Sequence, residues 1–414
     1  MRWLFVLLAL MALGSQLASQ VSEAWKLGAV VARDLSPGAN VQPKRLHIIP
    51  LEGGRLQLTF DLLGNEEPVL AYRVKHCDRH WLPSALAPIE YVSGLEGYEL
   101  EMPEASRNTL QPYKHYRLEL PNEQTSFRVS GNYLIEIYPI DEPEEIILTF
   151  PLCVSEALLS PIVTQTMKTN REVLDRWQQV EVVVPILSSV STRLERELSL
   201  IALQNDNIST RMEFGLPSQL RHDALIYDGF GGAVFPAGSE YLKLEHLTDR
   251  GGGLGIERTR VVDGLHEQEL YPTANRSLES YLYDEDRNGL EIIRALHTAI
   301  PEVDADYHWI KFAFSSPKLL GGRVILEGQC VDFLSLEART MHYNALKARY
   351  ELRLLLKMGY HEYRYLFLPD GEVRAVSGPT LGDHYQTTND YTVLLYLRRS
   401  QDRYDRLVGV GRTS

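Results

Sequence analysis

Three cysteines in 414 residues, Cys77, Cys153 and Cys330, are too few and too widely spaced to form a disulfide framework. They are read as buried free thiols, with a Cys77–Cys153 bridge as the one alternative inside a single region. Basic charge is also scarce: 42 Lys and Arg face 55 Asp and Glu, for a net charge of −13. Phosphate binding needs a basic field, so nucleic acid is excluded as a partner. The acidic excess is spread along the chain, as on a solvated surface. Beyond the N-terminus no apolar run reaches the length of a membrane span, which excludes direct membrane insertion.

Signatures of chemistry are missing as well. There is no Gly-x-Ser-x-Gly elbow to anchor a hydrolase triad. "GGGLG" (Gly251–Gly255) lacks both the Gly-Lys-Ser/Thr ending of a phosphate loop and the spacing of a dinucleotide fingerprint. It reads as a mobile loop within Asp249–Glu257. Paired carboxylates such as Glu144–Glu145 carry no distance information, so nothing specific supports a glycosidase. The reading is therefore no catalytic residues, no cofactor, no metal and no small-molecule substrate.

The chain does hold a leader. Arg2 is the only charge in the first twenty residues; the apolar run Trp3–Leu13 and the small-residue segment "GSQLASQ" follow it. That order is a secretory signal peptide over 1–20, with cleavage expected near Ala18 to Gln20. No cysteine follows to take a lipid.

Period two dominates the remainder. "RLQLTF" puts Leu56, Leu58 and Phe60 on one face, and "NYLIEIYPI" does the same with Tyr133, Ile135 and Ile137. "YELRLLLK" aligns Tyr350, Leu352, Leu354 and Leu356; "HEYRYLFL" aligns Tyr363, Tyr365 and Phe367. Met358–Gly359 between the last two reads as a hairpin turn. Leu346, Tyr350 and Leu354 fall four apart, which leaves a short helix open before Tyr350. Strands are expected again at "VTQTMKT", "VEVVVP", "LSLIALQ" and "SEYLKLEHL". The fold class is all-β, with tandem immunoglobulin-like β-sandwich domains and few short helices. "SEALLSP" (Ser155–Pro161) is the linker, giving an N-terminal sandwich over 21–156 and a β-rich region over 157–414. A further division is placed near 300, at "AIPEVDADYHW".

Two motifs raise questions of chemistry. "YRVKHCDRHW" places His76 and His80 four apart, as on a zinc-binding helix, yet "LAYRV" before it alternates like a strand. On a strand, side chains four apart stand about 13 Å from each other, too far for one zinc ion. Cys77 as a nucleophile needs a base and an electropositive setting that the sequence does not supply. The motif is read as the end of a sandwich strand. "YDEDRNGLE" puts Asp284, Asp286 and Asn288 at the first calcium-loop positions, but Ala295 occupies the twelfth, where glutamate is required. "LESYLY" and "LEIIR" on either side read as strands, so Asn288–Gly289 is read as a hairpin turn.

A resemblance rests on the order of several segments. "HCDRHWLPSALAPIEYVSG", "SRNTLQPYKHYRLELPN", "SGNYLIEIYP", "QNDN", "LIYDG", "YDEDRNG", "LLLKMGYHEYRY" and "HYQTTNDYTVLLYLRRSQDRYDRLVGVG" together resemble the plug protein family of the bacterial type IX secretion system. Arg79 and His80 depart from that pattern, which has a more acidic or polar approach to the tryptophan. The resemblance implies a periplasmic protein that binds a very large outer-membrane translocon barrel and seals its periplasmic mouth. It also implies structural roles for motif residues His76, Cys77, Asp78, Trp81, Ser130, Gly131, Asn132, Tyr133, Asp286, Asn288 and Gly289. Trp81, Tyr91, Tyr113 and Tyr116 would be aromatic anchors. Asn108–Thr109 and Pro121–Asn122 would be turns, and Asp402–Tyr404–Asp405 a strand end, with partner binding as the alternative. The competing reading is a periplasmic or surface glycan-binding sandwich, prompted by twenty-two tyrosines.

Overall fold

The structure is a computed structural model that describes residues 26–39, 43–94, 97–167, 174–186 and 193–413. The signal peptide expected over 1–20 lies outside the described residues. Among those described, the three α-helices, Pro88–Tyr91, Leu194–Glu197 and Pro301–Asp304, have four residues each. The fold is all-β and built of sandwiches. The alternating segments are strands: Leu56, Leu58, Phe60, Tyr133, Ile135 and Ile137 meet in one core. Tyr350, Leu352, Leu354, Leu356, Tyr363, Tyr365 and Phe367 meet in another.

The first sandwich pairs a sheet of Leu27–Asp34, Leu56–Leu63, Tyr113–Leu120 and Glu104–Ala105 with a second sheet. That second sheet runs His47–Pro50, Leu148–Ser155, Gly131–Pro139, Leu70–Cys77 and Tyr98–Glu99. The next core joins strands distant in sequence. Trp177–Pro185 and its neighbours face a sheet in which Leu198–Gln204 pairs with Tyr391–Leu397 and then Arg406–Arg412. Between its last early strand, Ala233–Pro236, and Tyr391 the chain builds a third sandwich, whose core runs from Leu244 to Leu381. That core draws on both sides of residue 300, since Leu244, Ile256 and Leu270 pack with Ile310, Phe312 and Phe314.

Several strands carry apolar residues on both faces because both are covered. In Tyr391–Leu397, Tyr391, Val393, Leu395 and Leu397 enter the second core. Leu394 and Tyr396 point the other way, into a smaller cluster with Leu46, Trp81, Cys153, Ile201, Leu203 and Leu407. That cluster is where the first sandwich packs on the second. Ser155–Pro161, expected as the linker, is held there too: Glu156 N and Leu158 N donate to the carbonyls of Leu407 and Val408 at 2.9 and 2.7 Å.

Three local expectations are corrected. Arg349–Lys357 and Gly359–Pro369 are not a hairpin; the first pairs with Tyr307–Ser315 and the second with Leu242–His246, Glu291–Ile293 and Gly322–Glu327. Met358, fully buried, is the corner where the chain passes between sheets, and its N–H donates to the Asp306 carbonyl. Before Tyr350 there is a strand, His342–Asn344, and a turn with Leu346 fully exposed, not a helix. Leu278–Tyr283 forms no strand, so Asn288–Gly289 closes no hairpin, although Glu291–Ile293 after it is a strand.

Candidate functional site

Leu70–Cys77 pairs with Gly131–Pro139 so that Cys77 lies opposite Asn132 and His76 opposite Tyr133. Just past Cys77 the chain folds over an aspartate. Asp78 Oδ1 accepts from the His80 and Leu82 N–H groups, both at 2.9 Å, and Asp78 N donates to the Leu82 carbonyl at 2.7 Å. This brace holds Trp81 at φ 68°, a left-handed conformation that a bulky residue rarely takes. The indole is thereby driven into the cluster between the first and second sandwiches, where it is 6 % exposed.

Around it the motif residues converge. Asn132, fully buried, donates from Nδ2 to the Asp78 carbonyl at 2.9 Å. Its Oδ1 accepts from the Tyr396 hydroxyl at 2.7 Å and from the Cys153 thiol at 3.4 Å. One side chain thus ties the first sandwich to a strand of the second. Gly131 has φ 139°, and a Cβ there would sit 2.4 Å from His76 Nε2. That nitrogen is 3.1 Å from the Ser130 carbonyl, and the ring is enclosed by Tyr91, Tyr133 and Tyr404. Burial lowers the His76 pKa, which keeps the imidazole neutral. Asp405, 1 % exposed and just ahead of Arg406–Arg412, accepts from Arg79 N at 3.0 Å and pairs with the Arg79 and Arg398 guanidiniums. His80 is partly exposed and joins the brace through its backbone N–H.

The second motif sits at another joint. Asn288 and Gly289 have φ 59° and 85°, and the Glu362 carboxylate takes the N–H groups of Arg287 and Gly289. Asp286 accepts from the N–H of Tyr241 and, at 3.1 Å, from that of Asn288. Burial pushes its carboxyl up to about 7. Asn288 Nδ2 reaches Asp390 at 2.9 Å, and Asp390 N donates to Asn205 Oδ1 at 3.0 Å. The motif therefore connects the third sandwich to the second. A Cβ on Gly289 would lie 2.5 Å from the Tyr241 ring.

Sequence reading missed the ionic joints, because their members are hundreds of residues apart. The Asp61 carboxylate, 1 % exposed, accepts from Lys357 Nζ and Tyr307 OH at 2.6 Å and from His115 at 2.7 Å. Burial alone would raise the Asp61 pKa; Lys357 and His115 outweigh it and hold the carboxyl below its ordinary value. Glu327 likewise meets Arg45 at 2.6 Å and Arg364 at 2.7 Å. Burial pushes it up, yet the two arginines bring it to about 2. Both clusters join the first sandwich to the third.

Fully buried His246, His308 and His361 form a chain between Asp249 and Glu291. His246 Nε2 lies 3.0 Å from His361 and its Nδ1 3.4 Å from His308. The three rings face one another in pairs instead of converging. Among the described residues no group of three or more His, Cys, Asp and Glu side chains is arranged to hold a metal ion. Burial pushes the Cys77 thiol up to about 12, far from a reactive thiolate. Cys77, Cys153 and Cys330 are all free.

Residues 35–156, nearly the whole first sandwich, match the type 9 secretion system plug protein 1st domain. The chain is also similar to the crystal structure of a hypothetical protein from Parabacteroides merdae ATCC 43184. The two are 30% identical with a TM-score of 0.88, over 95% of this chain and 97% of that one. No curated protein matches. The Trp81 and Asn132 joint lies within the matched residues, and on that match the chain carries the first domain of the type IX secretion system plug protein.

Proposed function

We propose that this protein is the non-enzymatic plug of the type IX secretion translocon, binding the periplasmic mouth of the outer-membrane barrel and sealing its pore. The plug-domain match over residues 35–156 supports the setting. The observation that carries the reading is the locking of all three sandwiches to one another through buried groups: Trp81 and Asn132, Asp61 with Lys357, and Arg45 with Glu327. A barrel with a water-filled lumen leaks unless a body of fixed shape fills its mouth. Such a body works by surface complementarity and requires no general base.

The test is extraction of native outer membranes under gentle detergent, with a tag on this chain. Co-purification of a very large barrel protein is the expected result. A preparation that yields this chain and no barrel overturns the reading.

A further inference from the structure

Between the second and third sandwiches lies a cavity of about 380 Å³. That is the size range of small-molecule sites, which favour domain interfaces. Its walls are mostly apolar: Phe235 from one side, and Leu336, Leu366, Leu368 and Val376 from the other. Set into them is the Arg339 side chain, whose Nε is buried with no hydrogen-bond partner. Buried donors are almost always paired, and among the described residues no side chain pairs with this guanidinium, so the part of it that lines the cavity asks for an acceptor.

Among the described residues no carboxylate supplies it. The carboxylates nearest in charge, Asp332 and Glu327, are committed to Arg45 at 2.6 Å each, and Glu327 also to Arg364. Arg374, on the same cavity, donates to the Thr210 and Arg211 carbonyls and to the Met212 sulfur, and among the described residues it has no carboxylate partner. Burial lowers the pKa of both Arg339 and Arg374, a sign of cations held in an environment that poorly solvates them. The other acids on the wall are Asp383, which accepts from Gly238 N at 3.0 Å, and Glu372, which is exposed.

We infer that this cavity binds a monocarboxylate with an apolar body, its carboxylate meeting Arg339 and its alkyl part lying against the Phe235 and Leu366–Leu368 walls. Guanidinium and carboxylate match as donor fork and acceptor pair. The apolar walls remove the tail from water. The inference does not depend on the plug reading, since it rests on the cavity alone.

The test uses the full chain and octanoate as probe, read by titration calorimetry. Saturable one-to-one binding is expected, with 1-octanol and octylammonium binding at least about tenfold more weakly, as for loss of a charged hydrogen bond. Arg339→Gln should weaken octanoate by about tenfold or more. Val373→Glu, at a rim position 68% exposed, should weaken it without touching the core. The inference fails if octanoate shows no saturable binding, if octanol binds as tightly, or if folded Val373→Glu and Arg339→Gln both keep wild-type affinity.

Discussion

At the scale of the residue, the motifs mark joints where the sequence suggested chemistry. His76 and Cys77 looked like a ligand and a nucleophile because both types are rare and close together. Their neutral, desolvated setting comes from strands that start more than fifty residues later, and no local pattern announces it. The resemblance implied an anchor role for Trp81, but nothing in the sequence marks a tryptophan for φ 68° before the Asp78 brace is seen. Buried histidines leave a measurable trace. Burial lowers His47 from 6.5 to about 4, against smaller opposing effects of Asp34 and Asp206. Between those values the unfolded chain binds a proton that the folded one refuses. Stability from this group is therefore complete above pH 6.5 and is lost as pH falls towards about 4, by roughly 3 kcal/mol in all. Ring-proton NMR should place the His47 midpoint near 4. In His47→Gln the slope of unfolding free energy against pH should shrink in that window. An imidazole that titrates near its ordinary value would sink the argument.

At the scale of the element, alternation located most strands and which face enters the core, because a half-buried strand must alternate. It was silent about which strands pair. Arg349–Lys357 and Gly359–Pro369 have the pattern of a hairpin, yet Met358 lets them serve opposite sheets of one sandwich. Both arrangements send the same residues into the same core, so periodicity cannot separate them. Continuous apolar runs such as "YTVLLYL" carried different information: a strand covered on both sides. Leu394, 2 % exposed, packs on the first sandwich, and Leu395, fully buried, on the second core. Leu394→Ala and Leu395→Ala should therefore each cost about 2–5 kcal/mol in urea unfolding. A strand with one wetted face would leave one of the pair nearly silent, and a Leu394→Ala cost below about 0.5 kcal/mol would show that the inter-sandwich face is not tightly packed.

At the scale of the whole molecule, the question is whether the three cores behave as one body. We propose that the region after the linker is a sandwich with a second sandwich inserted between Pro236 and Tyr391, because strands on both sides of that span share one core. An inserted unit is attached at two chain crossings, and its orientation must be fixed by contacts. Lys357 and Asp61 supply such a contact at 2–1 % exposure, across 296 residues of sequence. Buried pairs of this kind add little net stability over an apolar replacement, but removing one partner strands the other's charge. Lys357→Met should leave Asp61 ionised with only His115 and Tyr307 and cost about 3–5 kcal/mol. Asp61→Asn added to it should recover a large part of that loss, since no unpaired carboxylate remains. Calorimetry reads the consequence directly. The wild-type chain should melt in one transition, and Lys357→Met in two, as the first and third sandwiches lose their common fate. A single transition of unchanged midpoint in Lys357→Met would mean that this joint does not couple the cores. The rigidity that the proposed plugging role needs would then have to come from the Trp81, Arg45 and Asn288 joints.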